Sequence, residues 1–96
     1  MIDPFLEECH DRLESLSTQL LELEARPDDP ELVKAVFRDL HTLKGSAGFV
    51  GLTKMARVAH AAEDLVGLVR EGRRSADRAV VDALLACLDV LQAIVQ

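Results

Sequence analysis

Residues 40–48 place a histidine, a lysine and two glycines at helical spacing. At about 100° per residue, His41 shares its face of a helix with Lys44 and Gly45, which lie one turn further on. A neutral imidazole is a good nucleophile near pH 7 because it needs no separate base to activate it. Lys44 could then stabilise negative charge on a phosphoryl group joined to Nε2 of the ring. The spacing therefore indicates a nucleophilic histidine beside a cation.

The two glycines need a physical reason, since a glycine inside a helix costs about 1 kcal/mol relative to alanine. Gly45 lies one turn and Gly48 two turns after His41, so neither carries a side chain that could cover the imidazole. Close approach of another molecule to the ring would explain this bare face. The candidate partner contacts on this face are Phe37, Arg38, Gly45 and Gly48.

A nucleophilic Nε2 also requires an acceptor that holds the proton on Nδ1. A third helix that packs antiparallel to the helix of His41 can supply one. Glu63 lies at the margin of the apolar stripe of that helix, among the small residues Ala56, Ala59 and Gly67. A carboxylate there can reach across to the Nδ1–H and select the reactive tautomer. We therefore expect Glu63 to orient His41.

The composition indicates one helical domain over residues 1–96. A chain of this length buries somewhat over 60% of the surface that its unfolded form exposes. Hydrophobic residues make up 49% of it, but there is no Trp or Tyr and there are only three Phe, so the core is Leu, Val and Ala. Such cores are typical of helix bundles. No apolar run is long enough for a membrane span and residues 1–4 have no basic leader, so we expect a soluble cytoplasmic domain.

The charge distribution is uneven. Residues 3–24 carry seven acids against Arg12 alone, whereas residues 32–62 carry five cations against Asp39 alone. The net charge of −6 argues against nucleic acid as a partner. The basic segment around His41 has two interpretations, a solvated surface or a site that meets an anionic group. Cys9 and Cys87 lie at apolar helical positions, which predicts buried free thiols rather than a disulfide or a metal pair.

Capping residues and apolar spacing predict four helices. The first runs from about Pro4 to Ala25 and the second from Pro30 to about Ala47, where Gly48 supplies the left-handed residue that ends it. Phe49 and Val50 then fill the end of the bundle. The third begins near residue 52 or 53 and stops at Gly72, and Ser75 caps the fourth. The predicted inward residues are Leu6, Cys9, Leu13, Leu16, Leu20 and Leu23 in helix 1, Val33, Val36, Leu40, Leu43 and Ala47 in helix 2, Met55, Val58, Ala59, Ala62, Leu65, Val66 and Val69 in helix 3, and Val81, Leu84, Leu88, Leu91 and Val95 in helix 4.

Short connections between helices of this length make neighbours antiparallel, so the predicted fold is an all-α, up-down-up-down four-helix bundle. Helix 4 carries more apolar residues than one stripe needs. This surplus consists of Val80, Leu85, Cys87, Val90 and Ile94. It predicts that a further helix, a second copy or the rest of a longer protein covers this face.

The run HTLKGSAGF at residues 41–49 resembles the phosphorylation-site motif of histidine phosphotransfer (HPt) domains, most closely those at the N-terminus of CheA-type chemotaxis histidine kinases. The resemblance covers nearly the whole chain, including the acidic first helix and residues 27–31, 37–38 and 60–65. It implies that His41 is the phosphoacceptor and that Lys44 assists the phosphoryl group. It also implies that Glu63 holds the imidazole and that His60 is an accessory histidine. The fifth helix usual in the kinase-linked domains has no counterpart in these residues.

The resemblance also implies the partners. No Gly-rich phosphate loop is present, so the phosphoryl donor is an ATP-binding kinase domain elsewhere in the same chain or in another. The acceptor is an aspartate on a response regulator receiver domain of the CheY or CheB type, whose own site supplies Mg²⁺. We expect the domain itself to bind no cofactor, metal or nucleic acid and not to insert into a membrane. It is expected to be a substrate and carrier, as the phosphoacceptor domain of a histidine kinase, rather than a catalyst.

Two other functions fit parts of the sequence. A di-metal carboxylate bundle needs two Glu-x-x-His helices and two further inward glutamates, but the one comparable run is His60-x-x-Glu63, in reverse order. A helical interaction or dimerisation bundle without phosphotransfer would use the leucine seam of helix 1 or the broad face of helix 4. That function offers no reason for Gly45 and predicts that His41→Gln changes nothing.

Overall fold

A computed structural model describes residues 3–95 as four α-helices. They are α1 (Pro4–Ala25), α2 (Pro30–Phe49), α3 (Thr53–Arg70) and α4 (Arg78–Ile94). Helix α1 packs against α2 and α4, and α3 packs against the same two helices, so the four form a closed ring around one core. The bundle measures 41 × 20 × 20 Å, and no strand occurs in the described part of the chain. The predicted all-α, antiparallel four-helix architecture is confirmed.

Aspartate caps and prolines begin the first two helices, as predicted. The carboxylate of Asp3 accepts a hydrogen bond from the Phe5 N–H, and that of Asp29 accepts from the N–H groups of Glu31 and Leu32. Pro4 and Pro30 follow these caps, where the missing proline N–H leaves no hydrogen bond unmade. The caps therefore determine where α1 and α2 begin.

The predicted start of α4 is wrong by a few residues. Ser75 does not cap this helix; Asp77 does, and its carboxylate accepts a hydrogen bond of 2.9 Å from the N–H of Val80. An aspartate cap also places negative charge at the positive end of the helix dipole, which a serine cannot do. The loop before it contains Gly72 with φ of 75°, and the buried Ala76 lies between Ser75 and the true cap.

The predicted end of α2 is also wrong. The helix continues through Gly48 to Phe49, and the positive φ belongs to Gly51, at 81°. Phe49 follows the buried Ala47 by two residues, which is a rotation of about 200° around the helix. Its ring therefore faces outward. Phe49 is 92% exposed and Val50 is exposed as well, so neither fills the end of the bundle.

The core contains the predicted stripes with few exceptions. Helix α1 buries Cys9 and its inward leucines, whereas Leu6 is 37% exposed. In α4 the apolar surplus is mostly internal. Val80 is fully buried, Leu85, Cys87 and Ile94 pack partly buried against the core, and only Val90 is exposed. The bundle itself therefore covers most of the face that we expected a further element to cover.

Both cysteines are free thiols, as predicted, but only Cys9 is fully buried; Cys87 is half-buried. Burial raises the pKa of both thiols, which keeps them neutral.

Asp39 is a buried acid on α2, and its Oδ1 lies 2.9 Å from Nη1 of Arg12 on α1. This ion pair joins the two helices on the side of α2 away from His41. Within residues 3–95, no helix has the length and apolarity that crossing a membrane requires.

Candidate functional site

His41 stands on the outer surface of α2, and its side chain is 65% exposed. The antiparallel packing of α2 and α3 brings Glu63 beside it, and Glu63 Oε2 lies 2.5 Å from Nδ1 of the ring. The Glu63 side chain is almost fully buried, with 6% exposure, so the surrounding helices hold it in place. The structure thus brings together the predicted nucleophile and the predicted acceptor.

Lys44 reaches the same carboxylate from one turn further along α2. Its Nζ lies 2.7 Å from Oε1 of Glu63, so His41 and Lys44 each bind one oxygen. The lysine side chain is 30% exposed, which leaves the ammonium at the edge of the site rather than in the core. Histidine, lysine and glutamate therefore form one hydrogen-bonded group across two helices.

The charges in this group determine the tautomer of the histidine. Burial by itself raises the pKa of Glu63, but hydrogen bonds from Lys44 and His41, together with their charges, outweigh it and lower that pKa below its usual value. Glu63 is therefore ionised at neutral pH and can only accept hydrogen bonds. The carboxylate therefore selects the tautomer of the neutral imidazole that carries its proton on Nδ1 and its lone pair on Nε2. Nε2 has no hydrogen-bond partner within residues 3–95.

Phe37 lies one turn before His41, and its ring is nearly parallel to the imidazole, with an angle of 10° and 6.4 Å between centroids. The guanidinium of Arg70 lies 4.1 Å from the centroid of the Phe37 ring, a cation–π distance. The Phe37 ring also lies opposite Gly67 of α3, where an added Cβ would be 3.5 Å from Cε2 of the ring. Arg70 of α3 therefore packs on the Phe37 ring, and the ring also faces the imidazole of His41.

Arg70 was not among the site residues predicted from the sequence, although the sequence contains a signal for it. Arg70 follows Glu63 by seven residues on α3, which places the two side chains on the same face about two turns apart. A cation on that face, near the end of α3, can reach an aromatic residue on α2. The position of Phe37 opposite Gly67 could not be read from the sequence.

The two glycines of α2 leave an open surface beside His41. A Cβ at Gly45 or Gly48 would meet no heavy atom within 4 Å, so packing inside the domain does not require either glycine. Arg38 is exposed and forms no ion pair with the residues that the structure describes. That Gly45 leaves space for a partner stays a prediction, and the open surface at this position agrees with it.

His60 lies on the exposed side of α3, with its Nε2 3.5 Å from Oδ1 of Asp64. The ligand atoms of His60, Glu63 and Asp64 lie within 4.8 Å of one another, which is close enough for one metal ion. However, both oxygens of Glu63 already bind His41 and Lys44. The buried carboxylates among residues 3–95, Asp39 and Glu63, are each paired with a cation, which does not fit a di-metal carboxylate centre.

Comparison with known proteins shows the same fold and sequence pattern. The model of the Hpt domain family matches residues 1–94. The chemotaxis protein CheA of Listeria monocytogenes is 35% identical over 95 residues, which cover 99% of this chain and 15% of that protein. The chain thus spans about a seventh of the length of this curated relative.

Solved structures give the same result. The CheA phosphotransferase domain from Thermotoga maritima matches with a TM-score of 0.91 and 36% identity, over 95% of this chain and 87% of that one. The phosphorylated P1 domain of CheA3 in complex with CheY6 from R. sphaeroides matches with a TM-score of 0.87 and 34% identity, over 95% of this chain and 71% of that one. With a family model that covers almost the whole sequence and the same four-helix fold, this chain belongs to the Hpt domain family.

Proposed function

We propose that this Hpt domain carries a phosphoryl group on Nε2 of His41. The observation that carries the proposal is the hydrogen bond between Nδ1 and the ionised Glu63, because it directs the free lone pair of an exposed ring outward. Nε2 attacks the terminal phosphorus of ATP, an N–P bond forms, and the P–O bond to ADP breaks. The positive charge that develops on the ring is stabilised through Nδ1–H by the carboxylate of Glu63.

Lys44 assists the same step as the nearest ammonium. Its Nζ shares the Glu63 carboxylate with His41, so a short rotation of a flexible side chain would bring it to the phosphoryl oxygens. A cation there stabilises the charge that spreads over those oxygens in the transition state. His60 is proposed as an accessory group, since it lies one turn before Glu63 on the exposed side of α3.

Other domains supply the remaining chemistry. The donor is the ATP-binding domain of a histidine kinase, and support comes from the chemotaxis kinases to which this chain is similar over a small part of their length. The acceptor is an aspartate on a response regulator of the CheY or CheB type, and the P1 domain solved with CheY6 supports this class. In that second step an aspartate oxygen attacks phosphorus and the N–P bond breaks, with Mg²⁺ held by the regulator. Because the donor would be an ATP-dependent kinase, we propose that the domain acts in the cytoplasm.

The test is phosphorylation with radiolabelled ATP and a cognate chemotaxis kinase core, followed by mass spectrometry to locate the label. We expect acid-labile phosphate on His41 and none on the His41→Gln variant. His10→Gln is the matched control, because His10 is an exposed histidine on α1. Labelling of His41→Gln at the level of the control would exclude His41 as the phosphoacceptor.

A further inference from the structure

The turn that joins α2 to α3 carries an apolar patch, which consists of Phe49, Val50 and Leu52. All three side chains are exposed, and Phe49 at 92% is the most exposed large hydrophobic residue among those described. Gly51 closes the turn with a positive φ, and the N–H of Leu52 donates to Ala47 O at 2.9 Å, so the backbone beneath the patch is ordered. The patch is therefore a fixed apolar surface rather than a loose end.

Phe49 lies close to the reactive histidine. It follows His41 by eight residues in the same helix, which corresponds to about 12 Å along the axis. Between them, the exposed glycines Gly45 and Gly48 leave a flat path with no side chain. A standard protein interface covers about 800 Å² on each partner, a disc of roughly 16 Å radius. A partner of that size that covers His41 and the two glycines can therefore also reach Phe49.

The charges around this surface indicate the kind of partner. Arg38 and Arg57 are exposed on α2 and α3, and neither forms an ion pair within residues 3–95. A complementary partner needs an acidic centre that faces His41 and an apolar pocket beside it. A receiver domain brings an acceptor aspartate to the histidine and so supplies the acidic centre.

We infer that Phe49 is the anchor by which a CheY-type response regulator docks on this domain, with its ring buried in an apolar pocket of the receiver. The inference rests on the proposed function. The P1 domain of CheA3 solved in complex with CheY6, to which this chain is similar, supports a regulator rather than a kinase as the occupant. An aromatic side chain that fills a desolvated pocket on the partner carries a large share of the binding energy, and truncation of such an anchor typically weakens binding by tenfold or more.

The experiment compares Phe49→Ala with Leu21→Ala, which removes a similar apolar side chain that is 62% exposed on α1. Binding of a purified CheY-type regulator to the unphosphorylated domain is measured by calorimetry, so the readout does not depend on phosphotransfer. We expect Phe49→Ala to raise the Kd about tenfold or more, Phe49→Leu to restore most of the affinity, and Leu21→Ala to leave the Kd within twofold of the wild type. Helical circular dichroism should be the same for all variants.

A second assay separates the regulator from the kinase. Phosphorylation of His41 by the kinase core should proceed at the same rate in Phe49→Ala and in the wild type. The inference would be overturned if Phe49→Ala and Leu21→Ala bound the regulator with equal affinity. It would also be overturned if Phe49→Ala slowed phosphorylation by the kinase core and left regulator binding unchanged. Absence of label on wild-type His41 would instead contradict the proposed function, while the calorimetry would still decide the role of Phe49.

Discussion

Nδ1 of His41 on α2 lies 2.5 Å from Oε2 of Glu63 on α3, and the two residues are 22 positions apart in the sequence. Because Glu63 is buried and the imidazole is exposed, the rigid partner orients the reactive one. The same carboxylate holds Lys44, so a change at any of the three residues alters the other two.

Glu63→Gln should slow phosphorylation of His41 about 10- to 100-fold, a range typical of lost partners that orient a reactive histidine. The amide keeps the shape of the side chain but removes the charge that stabilises a positive ring. The measurement is the rate of labelling by the kinase core at saturating ATP. Glu71→Gln, an exposed position just after α3, is the control and should be unaffected. Equal rates for both variants would contradict the role of Glu63.

Lys44→Ala should also slow phosphotransfer, by about tenfold or more, because the phosphoryl oxygens lose their nearest cation. The fold should persist, since Lys44 lies partly exposed at the edge of the site. Lys54→Ala removes an exposed cation on α3 outside the hydrogen-bonded group and should react at the wild-type rate. A Lys44→Ala variant as fast as Lys54→Ala would show that the ammonium only holds Glu63.

The stability of the bundle should depend on pH through Glu63. Its pKa is lower in the folded state than in the unfolded chain, so ionised Glu63 stabilises the fold above the unfolded pKa. That contribution is lost as the pH falls through the folded pKa. Urea unfolding should therefore show wild type about 1–3 kcal/mol more stable than Glu63→Gln at pH 7, with the difference shrinking on acidification. A difference that stays constant from pH 7 to pH 3 would show that charge is not its cause.

Arg12→Ala should destabilise the fold by about 3 kcal/mol, because it leaves the buried carboxylate of Asp39 without its cation. The pair is 2.9 Å long and lies away from His41, so the labelling rate should not change. Arg26→Ala breaks an exposed ion pair with Glu22 and is the control, with an expected loss below about 1 kcal/mol. Urea unfolding at pH 7 measures the free energy of unfolding of both variants. Similar losses of stability in Arg12→Ala and Arg26→Ala would contradict the prediction.

Gly45→Ala should raise the stability of the domain by up to about 1 kcal/mol, since alanine is the better helix former. Nothing within 4 Å opposes the added Cβ. The thermal midpoint should rise by roughly 4–8 °C for a domain of this size. A larger side chain in Gly45→Leu should block the approach to His41 and slow phosphotransfer while the helix stays intact. Unchanged transfer in Gly45→Leu would remove the reason proposed for this glycine.

Several features of this protein were predictable from the sequence because their causes are local. Aspartate followed by proline begins a helix at both places where this pair occurs in the chain, and apolar residues at intervals of three and four define the buried stripe. The same periodicity places Lys44 and Gly45 next to His41 without reference to any other helix. Glu63 could be assigned partly from its place among small residues at the margin of a stripe, with α3 assumed antiparallel to α2. The resemblance to histidine phosphotransfer domains supplied much of that assignment.

Other features were decided by the tertiary structure, because they depend on the register between helices or on the residue at which a helix ends. The extension of α2 by two residues rotates Phe49 from the expected interior to the surface. The contact of Arg70 with Phe37 and the pairing of Arg12 with Asp39 join residues far apart in the chain. Sequence periodicity specifies which face of a helix is apolar, but not which residue of the neighbouring helix lies opposite. Only the packed bundle, in which every core side chain must fit its neighbours, determines that register.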